Sequence, residues 1–193
     1  FTFTPMCCLK KYYDMSHTVV KALDVLDNTY LPPLDADGTT SANATDMTAA
    51  IRAKLATYGI CRLGKGQYYV SGLDMPYNTS IIGSGRATQI KLFDSTTNGY
   101  CIRMTRQCTI RDLQIQGQDT NYTDAYADIS SIDTRNGIIW IANKSGTEAD
   151  LPNIEPCTID NVYIKNFSGS GLYMHNTGGG TQEALSITNL TIR

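Results

Sequence analysis

The chain has 193 residues and a formal net charge of −2, from 16 Lys and Arg against 18 Asp and Glu. That length suits one domain with a short additional segment, and a near-neutral balance with no basic run argues against nucleic acid as a partner. No apolar run approaches the ~20 residues of a membrane-spanning helix, and the six cysteines and two histidines follow no metal-binding spacing, so neither a metal nor a cofactor is expected.

Residues 1–33 read as a leader or connector. FTFTPM alternates like a short strand, and from Ser16 the spacing of Val19, Val20, Leu23 and Leu26 predicts a helix over 16–27 that Pro32–Pro33 closes as a stiff linker. This helix either packs on its own domain or serves as a connector or oligomer contact. Phe1 does not begin a signal peptide, and a strand pattern still runs at Arg193; both are expected of a piece of a longer chain.

Residues 34–60 form a polar loop that feeds a second helix. Thr45 or Asp46 caps it, Met47, Ala50, Ile51 and Leu55 make its apolar stripe, and Tyr58–Gly59 stops it. It is expected to cover the open end of the structure that follows. Asp35, Asp37 and Gly38 lack the later ligands of a calcium loop and read as a turn.

From Ile60 onward the chain is strands. TIRDLQIQ (109–116), TIDNVYIK (158–165) and SITNLTIR (186–193) align without a gap. Ile110, Ile159 and Ile187 form one column; Leu113, Val162 and Leu190 a second; Ile115, Ile164 and Ile192 a third. Between the first two columns stand Asp112, Asn161 and Asn189, residue types that tolerate the left-handed backbone of a sharp bend. Cys108 and Cys157 precede their units in a further inward column, where a thiol acts as a small hydrophobe; buried, unbridged thiols suit folding in a reducing cytosol. A second signature is Gly opening an apolar strand: GYCIRMT at 99, GIIWIAN at 137 and GLYMHNT at 171. Short strands of this kind bury one face only if the repeats stack. The fold expected over 34–193 is therefore all-β, a parallel β-helix with an N-terminal capping helix behind a short helical leader.

Two segments interrupt the rhythm on either side of GIIWIAN, at 117–136 and 144–156, and long loops beside a regular sheet are where binding groups concentrate. They carry Asp128 and Asp133 among other carboxylates, which with tyrosines suit a glycan. Aligning the glycines places Tyr100, Ile138 and Leu172 in one column and Ile102, Trp140 and Met174 in another. If these face inward, Cys101, Ile139 and Tyr173 face out, as do Arg103, Ile141 and His175. Tyr173, His175, Arg103, Asp128 and Asp133 are the candidate substrate-binding residues, and Trp140 is either core or a sugar platform.

The run from Asp35 to Leu92 resembles the pectate-lyase-like superfamily of right-handed parallel β-helices. It has an Asp-Gly loop, then Ala49-Ala50-Ile51 on a helix, Gly66-Gln67-Tyr68 on a strand, and the IIGSG stretch at Ile81 to Gly85. The resemblance extends over about residues 35–193 and is nearest to the forms in phage tailspikes and appendages. It implies a right-handed coil, a homotrimeric virion protein that meets host surface polysaccharide, and a leader that joins other tail proteins. The alternatives are a secreted polysaccharide lyase or glycoside hydrolase, and a stalk with no ligand. HNTGGG at 175–180 is similar to the Asn-Thr-Asp motif of polygalacturonase-type hydrolases, but Gly178 stands where the Asp would be. No catalytic motif is complete.

Overall fold

The computed structural model describes residues 30–35, 43–93, 99–117, 135–142, 157–176 and 185–193. The leader helix expected at 16–27 lies outside these residues. Among them are one helix, α1 (Thr48–Tyr58), and the strands β1 (Ile60–Arg62), β2 (Gly66–Val70), β3 (Leu73–Asp74), β4 (Ser80–Ile82), β5 (Thr88–Leu92) and β6 (Tyr100–Met104). There follow β7 (Thr109–Gln116), β8 (Asn136–Ala142), β9 (Cys157–Lys165), β10 (Leu172–Asn176), β11 (Leu185–Thr188) and β12 (Thr191–Ile192). The described residues are mostly β-strands in parallel sheets with one helix, consistent with the all-β fold that the strand patterns predict.

Every pairing between named strands is parallel, and the chain passes back and forth between two sheets, with one or two consecutive strands in the larger for each strand in the smaller. The larger has eight strands: β1-β4-β7-β5-β2, with β9 also on β7 and β11 and β12 on β9. The smaller has four, in the order β10-β8-β6-β3. Parallel neighbours cannot be joined by hairpins, so each return to a sheet crosses through the other one.

The repeat sets the register. Ile110 pairs with Ile159 and Ile159 with Ile187; Leu113 pairs with Val162; Ile115 pairs with Ile164 and Ile164 with Ile192. Ile110, Leu113, Ile115, Ile159, Val162 and Ile164 all lie in the core. Two inward residues three positions apart break the period of two, so one residue between them must turn the chain. Asp112, Asn161 and Asn189 do so, with φ of 58°, 51° and 50°, and Asn161 Nδ2 donates to Asp112 Oδ1 at 2.8 Å. Ile187, expected inside, is 40% exposed. Its strand has β9 on one side and, among the described residues, no strand on the other.

At the opposite edge the backbone groups are covered. Leu31 pairs with Leu63 and Asp46 with Tyr69, and α1 packs on β1 and β3 through the buried Met47, Ile51 and Leu55. The N-cap falls at Met47, whose side chain makes no capping bond, and not at Thr45 or Asp46 as expected; the Asp46 carboxylate, one residue outside it, accepts from the Thr48 N–H (2.8 Å) and the Ser71 hydroxyl (2.6 Å), and Gly59 ends the helix at φ 71°. Desolvation opposes the charge on Asp46, but these hydrogen bonds outweigh it and hold the carboxyl below its usual range. The Asp35 carboxylate accepts from the Thr45 N–H, ten residues on; the turn expected at Asp35, Asp37 and Gly38 lies largely outside the described residues.

Cys61, Cys101, Cys108 and Cys157 are buried thiols. Cys157 Sγ donates to the Thr105 carbonyl at 2.9 Å and Cys108 Sγ to that of Pro76 at 3.3 Å, so each satisfies a carbonyl where the chain turns into the next strand. Among the described residues no helix is long and apolar enough to cross a membrane.

Candidate functional site

The four-stranded sheet carries three of the sequence-predicted residues. Leu73, Ile102, Ile138 and Leu172 stand in register along one column, the first three with no exposure. The adjacent column, which alternation turns to the other face, is Asp74, Arg103, Ile139 and Tyr173. Tyr173 is 39% exposed at its end.

This register differs from the glycine alignment. Gly137 and Gly171 do correspond, with Ile138 opposite Leu172, but Ile102 pairs with Ile138, so β6 is offset from the expected alignment by two residues. Arg103 therefore shares a column with Ile139 and Tyr173, and not with His175, whose backbone is opposite Ile141. The offset has a side-chain cause. Asn136 Nδ2 donates to the Gly99 carbonyl at 3.1 Å, and Asn136 Oδ1 accepts from the Ser170 N–H at 2.8 Å, tying three strand starts together. Asn136 is buried, so moving it would strand its amide. Cys101, expected outward, is buried beside the buried Ile102, so β6 does not alternate there. The neighbouring β8 start is as tight: a Cβ on Gly137 would meet Ile164 Cγ2 at 2.7 Å.

Asp74, which the strand patterns did not single out, organises the outer face. Arg103 Nε lies 2.8 Å from Asp74 Oδ1, Arg52 of α1 lies 2.7 Å from Oδ2, and the Tyr100 hydroxyl donates to Oδ1 at 2.7 Å. The Arg103 guanidinium also lies 5.4 Å from the Tyr100 ring. Burial and the bond to Asp74 both raise the Tyr100 pKa. Arg103 is thus anchored to β3 by one of its five N–H donors, and Ile139 of β8 stands between its position on β6 and that of Tyr173 on β10. Its neighbours Asp74 and Arg52 are far apart in sequence, and only the strand register unites them.

Trp140 packs against the core, between Met104 and Met174 in its column, which assigns it to the interior of its two readings. Its indole Nε1 is buried without a partner among the described residues. Asp128 and Asp133 lie outside the described residues, as does the His175 side chain, so the structure brings together Arg103 and Tyr173 alone of the candidates. Among the described residues no group of three His, Cys, Asp or Glu side chains is arranged around a metal position.

No family model, curated protein or solved structure matches the chain.

Proposed function

We propose that the chain is a right-handed parallel β-helix of the pectate-lyase-like kind, acting as a virion-associated tailspike or appendage that binds host cell-surface polysaccharide. Right-handedness follows from the strong preference of parallel crossover connections. The alternation of strands between two parallel sheets, with inward columns in register, supports the stacked coil.

The observation that carries the binding reading is the outer column of the four-stranded sheet. An exposed Tyr173 ring and an anchored Arg103 flank the apolar Ile139, a combination that offers a sugar both a stacking surface and charged hydrogen-bond donors. In sequence, the segments 118–134 and 143–156 precede and follow β8, the strand at the middle of that surface, and Asp128 and Asp133 belong to the first of them. Tyr173, Arg103, His175 and these two carboxylates are the proposed sugar contacts. The reading includes a homotrimer, docked to other tail proteins through the 1–33 leader, and binding with little or no cleavage.

The test is a glycan array probed with the full chain. One or a few polysaccharides should be retained, and Tyr173→Ala should weaken them by roughly tenfold, the scale of a lost aromatic contact. Retention of no glycan, or binding unchanged by Tyr173→Ala and by shortening both segments, overturns the reading. Robust turnover abolished by Asp128→Asn or Asp133→Asn would make the protein an enzyme instead.

A further inference from the structure

Asn136 and Gly137, which open β8, are each fixed by their surroundings. The Asn136 side chain bridges the neighbouring strand starts: Nδ2 donates to the Gly99 carbonyl at 3.1 Å and Oδ1 accepts from the Ser170 N–H at 2.8 Å. Its backbone N–H donates to the same Gly99 carbonyl at 2.7 Å. Gly137 is fixed by close approach. A Cβ there would lie 2.5 Å from the Gly171 carbonyl oxygen and 2.7 Å from Ile164 Cγ2, so a larger residue fits only if backbone moves. The bridge needs an Asn and the packing needs a Gly, and the two demands fall on adjacent residues.

That adjacency has a chemical consequence. A backbone nitrogen directly after an Asn can attack the side-chain Cγ, most readily when the residue is glycine, which has no Cβ in the way and a freely turning backbone. The nitrogen gives up its proton to solvent base, the Cγ–Nδ2 bond breaks, and Nδ2 takes a proton from solvent and leaves as ammonia. A cyclic succinimide remains. Water then opens either imide carbonyl, giving aspartate, or isoaspartate in which the main chain runs through the former side-chain carbon. Water enters and ammonia leaves, and nothing is oxidised or reduced.

The folded strand blocks this reaction at each point. The Gly137 N–H is donated to the Ser170 carbonyl at 2.9 Å, so the attacking nitrogen keeps its proton. The two side-chain bonds hold the Asn136 amide toward Gly99 and Ser170, and its burial keeps solvent base away. Neither product regains the place. Aspartate turns an acceptor oxygen toward the Gly99 carbonyl, where Nδ2 had donated. Isoaspartate inserts a methylene into the main chain just before Gly137, which displaces β8 against β6 and β10.

We infer that Asn136 is a deamidation site masked by the fold: a chain whose β8 stays open loses the Asn136 amide to attack by Gly137 and no longer rebuilds the four-stranded sheet. Only the opened population reacts, and each event is irreversible, so the closed strand protects the protein kinetically. The inference involves no ligand and does not depend on the Tyr173 surface.

The main readout needs no variant. The full chain is held folded, or unfolded in urea, at the same mildly alkaline pH for the same times, and peptide mapping with an isoaspartate methyltransferase label reports on residue 136. The other Asn-Gly pair in the chain, Asn98–Gly99, serves as reference. In the unfolded chain Asn136 should convert about as fast as Asn98. In the folded chain its conversion should slow by roughly tenfold or more, because only opened molecules react. After dilution from urea, the molecules that refold, separated by size-exclusion chromatography, should carry an intact Asn136 whatever the state of Asn98. Asn136→Asp, which begins as one of the products, should have a lower urea midpoint than the wild type or fail to fold. Equal conversion in folded and unfolded chains, refolded molecules as rich in converted residue 136 as the starting mixture, or an Asn136→Asp protein as stable as the wild type overturns the inference.

Discussion

Asn161 offers the sharpest test of how the strands turn. It sits at φ 51° between Asp112 at 58° and Asn189 at 50°, and its Nδ2 donates to Asp112 Oδ1 at 2.8 Å. Valine there places a branched Cβ in the left-handed region, which costs about 1–3 kcal/mol. It also removes a hydrogen bond that is solvent-exposed, worth at most about 0.5–1 kcal/mol. Glycine removes the same hydrogen bond but takes up the left-handed conformation freely, so Asn161→Gly should cost about 1 kcal/mol or less. The difference between the two variants isolates the backbone term and should be about 1–3 kcal/mol. Urea denaturation at constant m-value measures it as a lower midpoint for valine than for glycine. Valine and glycine variants of equal stability, or a valine variant as stable as the wild type, would refute the argument that this column turns the chain.

Three further expectations come from the core and the titrating groups. Ile159, buried between Ile110 and Ile187, should cost about 2–5 kcal/mol when cut to Ala, read by the same urea titration; a change under 1 kcal/mol would mean that the column is not close-packed. Cys108 and Cys157 should resist a thiol reagent in the native protein and react as thiols on unfolding without reductant, whereas a bridge would leave both unlabelled. Burial pushes the Tyr68 hydroxyl, which donates to the Leu31 carbonyl at 2.6 Å, up from 10.0 to about 12. Its stabilisation is complete below the unfolded pKa near 10 and is lost as pH rises toward about 12. Tyr68→Phe should therefore flatten the alkaline decline of the melting temperature, and an identical decline in both proteins would contradict that linkage.

The larger sheet was legible in the sequence because its evidence is redundant. Each of TIRDLQIQ, TIDNVYIK and SITNLTIR repeats three aliphatic columns and one Asx bend, and a slip by one residue would expose all of them. The smaller sheet lacked that protection. A slip of β6 by two residues keeps every side chain on its face, so hydrophobic pattern cannot detect it, and the shared glycines favoured the wrong choice. What decides the register is the Asn136 amide bridging Gly99 and Ser170, a three-strand bond with no local signature. Ile187 shows a different limit: a repeat predicts which face a residue takes, but burial also requires a neighbour on each side. The Asp74 cluster was hidden because it joins a helix, a two-residue strand and β6 across separate stretches of chain.

The most direct test of the whole account is a crystal structure of the chain with an array-selected oligosaccharide bound. The account predicts a right-handed parallel coil, Asp112, Asn161 and Asn189 stacked at successive bends, and sugar density against Tyr173 and Arg103. A left-handed or unstacked arrangement, or a selected glycan bound away from Tyr173, would contradict it.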